Sequence, residues 1–303
     1  MIDPGQIIER LARVAPLGIR FWDEISDGVV SDGLLVVAYP PASPRRRVQA
    51  FTSSSGVYVL RNLPGLQAIE SGTGDSDFWS SLPPRQPFVI EVQDQTWRFQ
   101  PFLFTVEVPV RGLFTWECGT IESPVGSPPS PASTMVPLYP SATRQVPGGM
   151  AVIRADLWDQ EANTPAAWAV IRASIQGQQP AVGIADDQGR VAVIFPYPEP
   201  TDFVFDPQAS PPLAAAGLSL TQHEWPIQLE AAYFPLSPVP PIPDLCATLL
   251  QPAATLWADA AQSQALPQVT LKFGQELVVH SYDSSARTQP SVLYITPAGS
   301  PPF

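Results

Sequence analysis

Lysine, cysteine and histidine are scarce in this sequence. Lys272 is the single lysine, and 16 basic residues stand against 28 acidic ones, which gives a formal net charge of −12. Such an acidic surface repels the phosphates of nucleic acids and the headgroups of anionic lipids, so we expect no nucleic-acid partner and no electrostatic membrane binding. The one basic cluster is Arg45, Arg46 and Arg47. It follows a Pro-rich turn, and we interpret it as a solvated loop.

The two cysteines, Cys118 and Cys246, lie far apart in the chain and form no CxxC pair. Two cysteines are too few for a disulfide scaffold, and a metal or redox pair needs closer spacing. We therefore expect two reduced thiols that are packed in the protein.

Long apolar runs are missing as well. Because no stretch of eighteen apolar residues occurs, we expect no transmembrane helix and no direct membrane insertion. The N-terminal sequence "MIDPGQIIERLARVAP" lacks the apolar core of a secretory signal, which predicts synthesis in the cytoplasm without a signal peptide. Asp3 is a predicted N-cap, Pro4 suits the first helical position, and one face of the helix is apolar: Ile7, Ile8, Leu11 and Val14. We predict a short amphipathic helix within residues 1–16, docked on the first unit or on a neighbouring subunit.

Proline is abundant, with 38 residues, and it disfavours long helices because it lacks an N–H donor and clashes with the preceding turn. The remaining pattern of apolar strands and polar turns predicts an all-β fold of tandem Ig-like or transthyretin-like β-sandwiches. We place the first sandwich at residues 17–117, a Pro-rich linker or partner-bound arm at 118–149, and the second sandwich at 150–234. Residues 235–303 are β-rich and either complete the second sandwich or form a third unit.

An internal repeat connects the two predicted sandwiches. The Trp-Asp pair at 158–159 aligns with the pair at 22–23, and each is followed by a polar turn and an apolar strand. Further along, "DDQGRVAVIFPYP" matches "SSSGVYVLRNLPG", which aligns Gly189 with Gly56. We infer an internal duplication, in which Gly56 takes a positive φ in a hairpin turn.

Residues for catalysis are few. His223 and His280 are the only histidines, and although Asp283 and a serine lie near His280 in sequence, no G-x-S-x-G nucleophile elbow accompanies them. Closely spaced Cys or His ligands for zinc are also missing. We therefore predict a protein that is not an enzyme, without catalytic, cofactor-binding or metal-binding residues and without a cofactor.

Two pairs of carboxylates suggest calcium as an alternative, because calcium binds loop oxygens. One pair is Asp75 with Asp77, and the other is Asp186 with Asp187. Neither has the spacing of an EF-hand, and aspartates beside glycine are typical of β-turns. We interpret both pairs as turn residues.

The eight tryptophans raise the possibility of carbohydrate binding, since an exposed aromatic face can stack on a sugar ring. Trp22 and Trp158 recur at matching strand positions, which predicts that both pack in a core. Trp79 and Trp116 are the better candidates for exposed contacts. Tryptophan also anchors protein–protein interfaces, so the residue type alone leaves both kinds of partner open.

The repeated pattern resembles the carboxypeptidase-regulatory-like and transthyretin-like sandwich family. The residues that match in the first unit are Trp22, Asp23, Gly56, Tyr58, Leu63 and Pro64, and those in the second are Trp158, Asp159, Gly189, Val191 and Pro196. Val191 and Phe195 depart from the tyrosine and the leucine-proline that are more usual there. The resemblance implies a fold and no activity.

The first unit and the closing "LYITPAGSPP" also look like proteins carried with phage-tail-like contractile injection systems of bacteria. This resemblance implies a non-enzymatic structural or adaptor component, with the baseplate as a candidate position. Its partners would be other subunits of a large assembly of sheath, tube and baseplate type, in a particle kept inside the cell or released by lysis. The alternative is a β-sandwich module that binds a glycan or a cell-surface ligand.

Overall fold

A computed structural model describes residues 14–72, 74–81, 84–118, 134–175, 180–198, 223–283 and 291–297. Their regular structure consists of strands, a 3-10 helix (Gln67–Ser71) and two short helices, α1 (Ser76–Ser80) and α2 (Leu245–Leu249). The all-β prediction is confirmed. Neither of these helices is long and apolar enough to span a bilayer. The predicted N-terminal helix lies outside the described residues, apart from residues 14–16.

The chain forms two compact units. The first extends to Gln95 and includes Pro101–Leu138, and the second comprises Thr96–Gln100 and the chain from Tyr139 onward. The described strands of the first unit are β1 (Leu17–Ile19), β2 (Phe21–Asp23), β3 (Gly28–Val29), β4 (Leu34–Tyr39), β5 (Val48–Gln49), β6 (Phe51–Thr52), β7 (Tyr58–Leu60), β8 (Gln86–Asp94), β9 (Phe102–Val108) and β10 (Val136–Leu138). Those of the second are β11 (Met150–Asp159), β12 (Thr164–Pro165), β13 (Val170–Ser174), β14 (Ala181–Ile184), β15 (Arg190–Pro196), β16 (Glu224–Ala232), β17 (Ala253–Leu256), β18 (Gln268–Lys272), β19 (Leu277–Val278) and β20 (Leu293–Pro297).

Three sheets build the first unit, in the orders β5-β4-β8-β9, β1-β7-β6 and β10-β2-β3. Alternate side chains of β8 and β9 are buried, as the period of two in these sequences predicts, and they include Phe88, Ile90 and Phe104. On the other sheets, the ring of Phe21 meets that of Tyr58 edge to face, with centroids 5.2 Å apart. These inward side chains form the core of the unit.

The long strand β11 organises the second unit because it belongs to two sheets. Its first seven residues pair with β15, and its end pairs with β12 on one side and β20 on the other. Alternating apolar residues of β11, β13, β15 and β16 meet in one core, among them Leu157, Ile171, Val193 and Ile227. The strands β17 to β20 all pair with β11, β16 or one another, so the described part of residues 235–303 completes the second unit instead of forming a third.

Part of the predicted Pro-rich linker is a strand. Residues 119–133 lie outside the described residues, but β10 pairs in parallel with β2 and places Pro137 opposite Trp22. Proline is tolerated here because β10 lies at the edge of its sheet, where one side needs no hydrogen-bond donor. This stretch is therefore an arm that lies on the chain's own first unit.

The two units repeat the same strand pairings, which supports the inferred duplication. In the β2–β3 hairpin Trp22 is opposite Val29, and in the β11–β12 hairpin Trp158 is opposite Pro165, seven positions on in both cases. Each turn contains a left-handed residue at the same place, Asp27 with φ 50° and Asn163 with φ 51°. The closing strands β10 and β20 lie parallel to the two Trp-Asp segments in the same register.

The two glycine turns are also equivalent. The amide of Gly56 donates to the carbonyl of Ser53, and the amide of Gly189 donates to that of Asp186, both across 3.0 Å. Gly56 has φ +72° and Gly189 has φ +77°, so the prediction of a positive φ at Gly56 is confirmed. The same turn also leads into the same pairing, since Tyr58 opposes Ile19 and Val191 opposes Ala155.

Both cysteines are disulfide-bonded, so the expectation of reduced thiols is wrong. Cys118 is buried and Cys246 is half-buried on α2. Their wide separation in sequence argued against a bond, but the folded backbone and not the sequence spacing decides which cysteines can be bridged.

Candidate interaction surface

The histidines considered for catalysis have separate surroundings. His223 is buried, and its ring stacks on that of Trp225 with centroids 5.8 Å apart, so it belongs to an aromatic cluster. His280 is exposed and follows β19. Within the described residues, no group of three or more His, Cys, Asp and Glu is placed to hold a metal ion. The absence of catalytic and cofactor-binding residues stays a prediction.

The aspartates considered for calcium accept local hydrogen bonds from the backbone. Asp75 caps α1, because its Oδ1 accepts a hydrogen bond of 2.8 Å from the amide of Phe78. Asp186 Oδ1 accepts hydrogen bonds from the amides of Gln188 and Arg190, and its Oδ2 accepts one from the Arg190 guanidinium at 2.8 Å. The interpretation as a turn residue is confirmed for Asp186, whereas Asp75 is the N-cap of α1 and Asp77 lies within that helix.

The repeated tryptophans do not occupy the core positions that the sequence predicts. Trp22 and Trp158 are half-buried, whereas the adjacent Asp23 and Asp159 are buried. Neighbours in a strand point to opposite faces, and here the inward aspartates bind their hairpins: Asp23 Oδ2 accepts a hydrogen bond of 2.6 Å from Ser26, and Asp159 Oδ1 accepts one of 3.0 Å from a turn amide. Turn capping therefore decides which residue of the pair faces inward.

The two tryptophans predicted to be exposed are also half-buried. The indole N–H of Trp79 donates to the carbonyl of Gly74 across 3.1 Å. The ring of Trp116 packs edge to face on buried Phe104 at 5.2 Å. Both side chains have structural contacts, and both are less exposed than the sequence suggested.

The three arginines of the basic cluster have different surroundings. Arg45 and Arg46 are exposed, as expected of a solvated loop. Arg47 forms an ion pair with Glu91, and its guanidinium lies over the ring of Tyr39 at 4.9 Å. Burial, followed by the charge of Glu91, raises the pKa of Tyr39 above its ordinary value.

The most exposed large apolar side chain of the described residues is Trp97, whose relative exposure is 78%. Trp97 lies in the connection between β8 and β9, within "DQTWRFQ", and its φ is +60°. A left-handed backbone costs a non-glycine residue roughly 1–2 kcal/mol, and such strain persists only where the surroundings enforce it. An exposed tryptophan held in this conformation is therefore a candidate for a function outside the fold.

Hydrogen bonds from the segment after β10 hold this connection. The Ser141 hydroxyl donates to the carbonyl of Trp97 across 2.5 Å, and the Ser141 amide donates to the carbonyl of Arg98 across 2.9 Å. Next to them, Phe99 forms a bridge with Pro140. The backbone of Trp97 and of the two residues after it is thereby held, while the ring itself stays in solvent.

Two arginines flank the buried ring of Phe99. The guanidinium carbon of Arg98 lies 5.2 Å from the Phe99 centroid, and that of the buried Arg144 lies 4.8 Å from it. Arg154 on β11 holds the backbone at Arg144, because its guanidinium donates a hydrogen bond to the carbonyl of Arg144 across 2.9 Å. We call Trp97, Arg98, Phe99, Ser141 and Arg144 the Trp97 platform. Its indole is exposed, whereas Arg98 is half-buried and Phe99 and Arg144 are buried.

Sequence reasoning missed the Trp97 platform, although a signal was present. Trp97 is flanked by polar residues between two apolar strands, which is typical of an exposed turn. What the sequence did not show is the fixation of that turn, since Ser141 lies 44 positions away in the chain.

No family model and no curated protein matches this chain. Among solved structures it is similar to the Bacillus anthracis TIE protein, with 8% identity, a TM-score of 0.24, and coverage of 93% of this chain and 34% of that one. A Streptococcal ancillary pilin has 10% identity and a TM-score of 0.21, and the match covers 90% of this chain and 63% of that one. A shaft pilin from Lactobacillus rhamnosus GG has 10% identity and a TM-score of 0.21, and the match covers 95% of this chain and 99% of that one.

The chain thus spans about a third of the Bacillus anthracis protein and less than two thirds of the ancillary pilin. TM-scores this low carry no argument about function.

Proposed function

We propose that this chain is a non-enzymatic β-sandwich module that binds a glycan on a cell surface through the Trp97 platform. The observation that carries the proposal is the combination of a 78% exposed indole with a strained backbone at the same residue. Strain at an exposed residue adds no packing to the core, and the backbone held there keeps the large indole ring in solvent.

The chemistry of the platform suits a sugar. The indole of Trp97 offers a flat apolar face, on which the C–H groups of a pyranose ring can stack. Arg98, the next residue in the chain, is half-buried, and its guanidinium lies over the ring of Phe99. A fixed platform also lowers the entropic cost of binding, because the loop is already in place before the ligand arrives.

The disulfide-bonded cysteines support a location outside the cytosol. Disulfides persist in oxidising compartments and at cell surfaces and are rare in reducing ones. Cys118 and Cys246 are both oxidised, which fits a surface module better than a protein stored in the cytosol.

Binding of the purified chain to a glycan array and to insoluble chitin and cellulose tests this proposal. We expect retention on at least one saccharide, loss of that retention in Trp97→Ala, and full retention in Trp79→Phe, whose ring has structural contacts. Failure of the wild-type chain to bind any saccharide, or equal binding by Trp97→Ala, would contradict the proposal.

A structural place in a contractile injection particle is the second candidate function. It is supported by the sequence resemblance of the first unit and by the tandem arrangement of two duplicated units. The test is a C-terminal tag in the native host, followed by ultracentrifugation of the lysate and negative-stain microscopy. Sheathed rods carrying the tag would favour this role. A tag that stays in the soluble fraction with no large partner would rule it out.

A further inference from the structure

The first unit has a long strand at a sheet edge. In the order β5-β4-β8-β9, the seven-residue strand β9 is terminal, and no strand among the described residues pairs with its other side. Its core-facing side chains, such as Phe104 and Val106, are buried, while Thr105 and Glu107 are exposed on the other face. Such an edge offers a row of backbone donors and acceptors to another strand.

The duplicated second unit has an equivalent edge that is protected. There β18, of five residues, pairs with β16 at the corresponding edge. It ends in Lys272, the only lysine of the chain, whose Nζ lies 2.9 Å from Glu224 Oε1. Lysine at an edge strand is a usual means of preventing further pairing. β9 is longer and contains no lysine, arginine or proline, so the first unit lacks this protection.

We propose that β9 pairs antiparallel with β9 of a second copy of this chain, around a two-fold axis at Thr105. The strand sequence FLFTVEV is arranged symmetrically about that residue. In this register Phe104 lies opposite Val106 of the other copy, and Leu103 lies opposite Glu107. Aromatic and β-branched residues would thus face each other on the buried side, which is a favourable cross-strand combination.

The charge of Glu107 disfavours the parallel alternative. Glu107 is the only charged residue of β9, and a parallel pair in register would place it opposite its own copy. Like charges directly opposite each other are destabilising, whereas the antiparallel register around Thr105 separates them. The interface is isologous, since the same strand serves on both sides, and it joins two four-stranded sheets into one of eight strands.

Sedimentation equilibrium of the full chain over a range of concentrations tests the dimer. A single strand pair buries little surface, so we expect a weak, concentration-dependent dimer that strengthens with salt as the repulsion between two copies of charge −12 is screened. Thr105→Lys places two ammonium groups together at the two-fold axis, and we expect it to weaken the dimer at least about tenfold.

Thr270→Lys is the matched control, because Thr270 is an exposed threonine on the equivalent edge strand β18. It should dimerise like the wild-type chain. A chain that stays monomeric at all concentrations, or a dimer that Thr105→Lys leaves intact, would overturn the proposal. So would a dimer that Thr270→Lys weakens equally, because the charge itself would then be responsible.

A cysteine at the axis tests the register independently. Thr105→Cys brings two thiols directly opposite each other, about 4.5–5.5 Å apart at Cβ, and mild oxidation should link the two copies. Leu103→Cys lies opposite Glu107 and should form far less linked dimer. Equal linkage in the two variants would reject the register.

Discussion

The hydroxyl of Tyr233 donates a hydrogen bond to Asp159 Oδ2 across 3.2 Å, and both side chains are buried. Asp159 thus binds its hairpin turn through one oxygen and the strand end after β16 through the other. We expect Tyr233→Phe to lower the free energy of unfolding by about 1–3 kcal/mol, because it leaves a buried carboxylate oxygen without this donor. Urea unfolding measures the change, and an unaltered midpoint would show that the bond is unimportant.

Alkaline pH should act on the same pair. Burial, followed by the charge and the hydrogen bond of Asp159, raises the pKa of Tyr233 well above its ordinary value. Above about pH 10 the unfolded chain loses the Tyr233 proton while the folded chain still keeps it. The contribution of this group to the free energy of unfolding is therefore complete below about pH 10 and is lost as the pH rises toward the folded-state pKa. Unfolding titrations between neutral and alkaline pH should show a shallower loss of stability in Tyr233→Phe than in the wild-type chain.

The two equivalent glycine turns differ in the space around them. A Cβ on Gly189 would lie 2.4 Å from the backbone oxygen of Leu157, whereas on Gly56 its nearest neighbour is a Val29 methyl group at 3.2 Å. We expect Gly56→Ala to lower the free energy of unfolding by about 1 kcal/mol, because alanine is strained at a positive φ. Gly189→Ala should lower it by about 1–3 kcal/mol more, since the backbone of Leu157 cannot move aside as easily as a side chain. Thermal unfolding of both variants compares them directly, and equal costs would contradict the difference in packing.

Local features of the fold were predictable from sequence, and distant ones were not. The Trp-Asp hairpins and the turn at Gly56 are set by residues within a few positions of each other, so their pattern alone indicates them. The strand Val136–Leu138 was not evident, because its proline is tolerated only at an edge that other parts of the chain define. The backbone at Trp97 is likewise held by the distant Ser141, and the inward aspartates overrode the usual preference for a buried tryptophan.

The oxidation state of the cysteines is open to direct chemistry. Because Cys118 and Cys246 are disulfide-bonded, the denatured but unreduced chain should show no reaction with a thiol reagent. After reduction both cysteines should react. Reaction before reduction in protein prepared under oxidising conditions would contradict the bonded state.

Backbone strain at Trp97 predicts a gain of stability on its removal. Trp97→Gly relieves a φ of +60° and removes a ring that is mostly in solvent, so we expect stability equal to the wild type or higher by up to about 1 kcal/mol. Trp97→Ala keeps the strain and serves as the control. A clear loss of stability in the glycine variant would show that the indole has a structural role instead.

The central claim is that Trp97 contacts a saccharide, and a fluorescence titration of the wild-type chain against Trp97→Phe and Trp79→Phe tests it most directly. Soluble chitin and cellulose oligosaccharides and mannan are the probes. We expect a saturable change in tryptophan emission that persists in Trp79→Phe and disappears in Trp97→Phe. A change that persists in Trp97→Phe, or no change with any of these saccharides, would contradict it.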